Sequence, residues 1–122
     1  MHPKRKLTDA DHVWNRACRR EGTTLREGDR ALGALLLVHG YIMNGGVCHA
    51  FDLTTKELAD GIKGYQYFRL DELVAIIKPH DGEKEADYNR RYYDFFRDRN
   101  DPIRERFREV LRERPERFAP LK

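Results

Sequence analysis

The chain has 122 residues, 39% of them hydrophobic and 37% charged, which suits one hydrophobic core and excludes two. Its 24 basic and 21 acidic residues leave a net charge of +3, so no strong global field draws nucleic acid, and six Phe, six Tyr and one Trp exclude disorder throughout. Two cysteines, Cys18 and Cys48, are too few for a disulfide scaffold and lack metal-pair spacing; they read as small buried thiols.

Residues 1–7 read as a flexible start, with the basic run His2-Pro3-Lys4-Arg5-Lys6 and no secretory leader behind it. Thr8 and Asp11 have capping-box spacing and predict a first helix, with Ala10, Val13, Trp14, Ala17 and Cys18 at helical intervals and Gly22 closing it. Trp14 is the expected anchor against the next helix. Thr24 and Glu27 repeat the box and open the central segment.

That segment, residues 31–51, is the one long apolar stretch. Leu32, Leu35, Leu36, Leu37, Val38, Tyr41, Ile42 and Met43 leave almost no polar face, which predicts a helix surrounded by its neighbours. Gly28, Gly33 and Gly40 are expected where another backbone comes close. Asn44-Gly45-Gly46 then ends the helix, because these residues tolerate positive φ. The segment contains His39 and is too short to cross a bilayer, so a cytoplasmic protein without a membrane span is expected.

A third start signal follows at Thr54 and Glu57, with Leu53 and Leu58 at the staple positions and Leu58, Ala59, Ile62 and Tyr65 as the buried stripe. After a break near Phe68-Arg69, Leu70, Leu73, Val74, Ile76 and Ile77 predict a short helix ended by Pro79, and His80-Asp81-Gly82 a turn. A fifth helix over 84–97 carries Tyr88, Tyr92, Phe95 and Phe96 on one face. Asp101-Pro102 opens a sixth, striped by Ile103, Phe107, Val110 and Leu111 and ended by Pro115. Phe118 and Leu121 are expected to tack the tail down. The sum is an all-α single compact domain of about six helices, packed around a buried central helix.

Chemistry-bearing residues are sparse. His39, Cys48 and His49, with Asp52 and the distant His80, match no familiar zinc spacing, and a buried His39 with a core thiol is the favoured reading. Cys48 and His49 are adjacent, so on a helix they point about 100° apart and do not meet as nucleophile and base. Tyr88, Tyr92, Tyr93, Phe95 and Phe96 among Arg90, Arg91, Arg97 and Arg99 resemble a stacking platform, but at helical spacing they read as core. Arg104, Arg108 and Arg112 form a stripe that suits phosphates or an acidic protein, with Glu105, Glu109 and Glu113 alongside for helix ion pairs.

The run Val38-His39-Gly40-Tyr41-Ile42-Met43-Asn44-Gly45-Gly46, continued by Val47 to Phe51, resembles the Asn-Gly-Gly helix break of the bacterial DNA-mimic protein family, most of whose members are domains of unknown function. The Leu58–Tyr65 helix, the Phe68-Arg69-Leu70 joint, Tyr92-Tyr93 and the closing 115–118 segment extend the likeness over about residues 25–119. The resemblance implies an all-helical, non-enzymatic domain. Mimicry itself needs carboxylates spaced like phosphates, which a net-basic chain does not supply. The expected function is therefore a non-catalytic protein-interaction module, regulatory or toxin-neutralising, without a cofactor. The alternatives are nucleic-acid binding through the arginine stripe and aromatic helix, or a metal or Cys/His enzyme. The expected binding residues are Asn44, Gly45, Gly46, His49 and Asp52 at the corner, and Arg104, Arg108 and Arg112 on the last helix.

Overall fold

A computed structural model describes residues 6–19, 25–79, 81–97 and 101–121. Six α-helices run in chain order: α1 (Asp9–Arg19), α2 (Glu27–Gly45), α3 (Thr55–Tyr67), α4 (Asp71–Val74), α5 (Gly82–Arg97) and α6 (Pro102–Glu113). Two 3-10 helices, Val47–Asp52 and Pro115–Arg117, follow α2 and α6, and no strand occurs among the described residues. The fold is all-α.

Local chemistry sets the helix starts. Thr8 Oγ1 accepts the Asp11 amide at 3.2 Å while Asp11 accepts the Thr8 amide at 3.0 Å, closing the box that opens α1. Thr54 and Glu57 do the same for α3 at 3.1 and 3.0 Å. Asp101 caps α6 by accepting the Ile103 amide at 3.0 Å, with Pro102 in the first turn. The start of α2 differs from expectation. Asp29, not Glu27, reaches back to the amide of Arg26, and Glu27 instead pairs with Arg117 at 3.4 Å. Thr24, Gly22 and His80 lie outside the described residues.

The core runs along α2, where Leu32, Leu35, Val38 and Ile42 are fully buried. Val13 and Ala17 of α1, Tyr65 and Phe68 around the end of α3, Leu70 and Leu73 at α4, Tyr92 of α5, and Ile103 and Phe107 of α6 complete it. The central helix is nevertheless not enclosed on all sides. Met43 is 50% exposed, Gly40 has nothing near it, and Leu36, Leu37 and Tyr41 are half-buried. The helices that pack on it, chiefly α1 and α3, are shorter than its nineteen residues and leave part of its surface uncovered among the described residues.

Trp14 shares the core cluster with Leu32, Leu35 and Val38 of the central helix, and its ring also meets Phe107 of α6 at 5.6 Å. Other expectations are also corrected. On α3 the buried face is Gly61, Gly64 and Tyr65, while Ala59 is exposed. A Cβ on Gly61 would overlap Val38, and one on Gly64 would overlap the Ala31 carbonyl, so bare backbone lets α3 lie close on α2. Gly28 is tight as well, since a Cβ there would meet the Phe118 ring and the Arg117 carbonyl, whereas Gly40 serves no close approach among the described residues. Phe118 does fasten the tail, but Leu121 is 39% exposed. Cys18 is exposed and Cys48 half-buried, so neither thiol is fully buried.

One buried carboxylate ties three parts of the chain together. Asp29 accepts the Arg16 guanidinium of α1 at 2.6 Å, the Arg26 amide at 3.1 Å and the Ala119 amide of the tail at 2.7 Å. It is 1% exposed. Arg16 also donates to the Ala119 carbonyl at 3.0 Å, so the clamp closes from both sides.

Candidate functional site

The Asn-Gly-Gly corner has a physical explanation at each position. Gly46 takes φ +90°, a conformation that residues with a Cβ rarely adopt, and its amide bonds back to the Ile42 carbonyl at 2.7 Å. Asn89 of α5 lies against it and accepts the Val47 amide at 2.7 Å. A Cβ on Gly46 would come within 2.8 Å of the Asn89 amide nitrogen, and one on Gly45 within 2.6 Å of His49 Nδ1. The two glycines thus make room for two side chains that brace the corner.

His49 stacks on the Tyr41 ring with centroids 4.9 Å apart, and its Nδ1–H donates to the Tyr41 carbonyl at 2.8 Å. The exposed carboxylate of Asp52 lies 3.5 Å from Nε2. The structure therefore brings Asn44, Gly45, Gly46, His49 and Asp52 to one corner, with Asn44 and Asp52 facing solvent and Gly46 buried. Replacing Gly46 with alanine is expected to cost about 1–3 kcal/mol from backbone strain. Asn89→Ala, which orphans the Val47 amide, should cost about 1 kcal/mol. Because the alanine Cβ clashes with Asn89 itself, the double variant should lose less than the sum, as read by urea unfolding.

The arginine stripe divides. Arg104 is half-buried, pairs with Asp11 at 3.3 Å and covers the Trp14 ring at 4.4 Å. Its charge is committed to holding α1 on α6. Arg108 and Arg112 are exposed, and among the described residues neither forms an ion pair. Two of the flanking glutamates pair elsewhere: Glu109 with Arg106 at 3.4 Å and Glu113 with Arg69 at 3.8 Å.

His39 belongs to a different cluster. Its Nδ1 lies 2.9 Å from the Tyr92 hydroxyl, which lies 2.6 Å from the Tyr65 hydroxyl, so α2, α5 and α3 meet in one hydrogen-bonded row. Burial pulls the His39 imidazole below its ordinary pKa, against the opposing charge of Asp101. Burial likewise raises both tyrosines, Tyr92 well above the usual phenol range, so the row is uncharged near neutrality. Tyr92→Phe leaves a buried hydroxyl without an acceptor and should lower folding stability by about 1–3 kcal/mol in denaturant titrations. Among the described residues no three His, Cys, Asp or Glu side chains gather as a metal site.

One concave surface was not expected. A groove of about 660 Å³ runs between α2 and α3, with Leu25, Ala31, Ala34 and Leu37 as its apolar floor. Lys56, Asp60 and Lys63 of α3 and Arg30 of α2 stand on its rim. Lys56 and Asp60 pair at 2.6 Å, Arg30 donates to the Leu25 carbonyl at 2.6 Å, and Lys63 has no ion-pair partner among the described residues. Two sequence features could have revealed it. Ala31, Ala34 and Leu37 recur every three residues on α2, and Gly61 and Gly64 mark the facing edge of α3. No described helix is long and apolar enough to cross a membrane. In comparisons with known proteins, no family, no curated protein and no solved structure matches this chain.

Proposed function

We propose that this protein is a non-catalytic interaction module that receives an apolar segment of a protein partner in the α2–α3 groove. The observation that carries this reading is the apolar floor of Leu25, Ala31, Ala34 and Leu37, half-buried and open among the described residues beside the core. Small side chains on that floor leave room for larger ones from outside, and apolar burial supplies the driving force. The cations of Arg30 and Lys63 on the rim suit an amphipathic helix with carboxylates flanking its apolar face. A regulatory or toxin-neutralising role fits such a module, as does the likeness of the Asn-Gly-Gly corner to the DNA-mimic family.

A photocrosslinking residue placed at Ala34 tests this, with one at Arg112 as the remote control. The expected result is capture of one protein from the native cell at Ala34 only, whose purified form then binds the chain. Leu37→Glu should abolish that binding without lowering the melting temperature by more than a few degrees. Capture at Arg112 alone, or rebinding unaffected by Leu37→Glu, would overturn the reading.

The exposed pair Arg108 and Arg112 supports nucleic-acid binding as a second reading. It predicts affinity for a mixed-sequence oligonucleotide that falls with salt and weakens further when both arginines become alanine.

A further inference from the structure

We propose that α5 is an acid-released strap: a proton taken up at His39 loosens its hold on α2 and α3, while the rest of the domain stays folded. With His39 neutral, one arrangement gives both hydroxyl protons in the row an acceptor: Tyr65 donates to the Tyr92 oxygen and Tyr92 donates to His39 Nδ1. When a proton from water binds Nδ1, that nitrogen becomes a donor and the row must run the other way. Nδ1–H then donates to Tyr92, Tyr92 donates to Tyr65, and the Tyr65 proton is left without an acceptor. Tyr65 is fully buried, and Tyr92 is its one hydroxyl partner among the described residues. An orphaned buried donor and a buried imidazolium both favour opening.

The groups facing His39 allow no easy escape. From α5 come Tyr92 and the Phe96 ring, at 5.2 Å between centroids, and α3 contributes Tyr65 through Tyr92. At the start of α6 the Asp101 carboxylate favours the protonated form, but its oxygen is engaged by the amides of Ile103 and Arg104, and burial outweighs it. Neither tyrosine ionises in this range, so no phenolate can take the donated proton.

α5 is the helix such an event would free. Tyr92 is its single buried residue. Its other polar ties include Asn89 to the Val47 amide, the Tyr93 hydroxyl to the Ile42 carbonyl at 3.1 Å and the Lys78 ammonium over the Tyr88 ring at 5.6 Å, all outside the core. By contrast, α1, α2 and the tail share the Asp29 clamp, and α2 and α3 share the glycine seam. Stability held by a histidine with a lowered folded pKa is full above the unfolded value and is lost as pH falls below it, here 6.5. Release would uncover the His39 side of α2 next to the Asn-Gly-Gly corner.

Hydrogen exchange on the whole chain, from about pH 7.5 to about pH 5 and corrected for intrinsic rates, tests the strap. Protection of α5 amides should fall by up to about tenfold per pH unit below the unfolded value, while amides near Leu35 hold steady. His39→Asn places a non-titrating acceptor near the Nδ1 position and should flatten the α5 response. The imidazole titration of the unaltered protein, followed by NMR, gives a second measure and should coincide with α5 loosening. A pH-independent α5, an undiminished fall in His39→Asn, loss of α2 protection in step, or His39 titrating at or above the ordinary value would each overturn the proposal.

Discussion

Replacing Asp29 with alanine is expected to lower the folding free energy by about 3–5 kcal/mol, a large share of the total for a domain of this size. The loss has two parts. The Arg16 guanidinium, half-buried beneath the tail, keeps its charge and loses its carboxylate at 2.6 Å. The Arg26 and Ala119 amides lose their acceptor at the same time, and the Ala119 amide is buried. Asp29→Asn retains one acceptor oxygen without the charge, so it should fall between alanine and the native residue. In a double-mutant cycle, Arg16→Ala on the Asp29→Ala background should cost well below its cost alone, because the stranded cation is then gone. Urea unfolding followed by Trp14 fluorescence reads both changes, since Trp14 lies on the same helix as Arg16. Equal costs for Arg16→Ala on the two backgrounds would refute the clamp.

Putting alanine at both Gly61 and Gly64 is expected to be nearly as damaging, at about 3 kcal/mol or more. In an exposed helix, Gly→Ala stabilises by up to about 1 kcal/mol through backbone entropy, so the sign itself is the test. Here the added Cβ of residue 64 meets the Ala31 carbonyl, which cannot rotate aside as a side chain can, and that of residue 61 meets Val38. α3 would have to move off α2, opening the Leu35 and Val38 layer to voids on one side. Gly40→Ala is the internal control: nothing lies within reach of its Cβ, so the ordinary helix preference should win and stability should rise. A stabilised Gly61→Ala/Gly64→Ala variant would contradict the close seam.

Helix starts were legible because their partners stand three residues apart: Thr8 with Asp11, Thr54 with Glu57, and Asp101 with the amides just after it. Breaks were legible for the same reason. Gly46 with its positive φ, Arg69 at φ 59° in the joint after α3, and the proline beyond α6 act on their own backbone. The periodicity of apolar residues named most of the core, from Val13 to Phe118.

Facts requiring two distant segments were not legible. Asp29 carries no sign in its own neighbourhood that its partners are Arg16 and Ala119, the latter 90 positions away. Gly61 and Gly64 look like weak points of a helix until α2 lies against them. An apolar run around Leu37 and Met43 predicts burial, but how much of it is covered depends on how many helices arrive and where each one lies. Arg104 was indistinguishable from Arg108 and Arg112 by spacing, and only the approach of α1, with Asp11 and Trp14, set it apart.

The amino-acid order by itself therefore determined the class of fold, most of the helix starts and the corner after α2, because hydrogen bonds and steric limits within a few residues govern those. Tertiary structure alone decided which charges are structural, which apolar face stays open as a groove, and that His39 joins Tyr92 and Tyr65. Each of those depends on side chains meeting across helices, and their energies exist only once the backbones have been brought together.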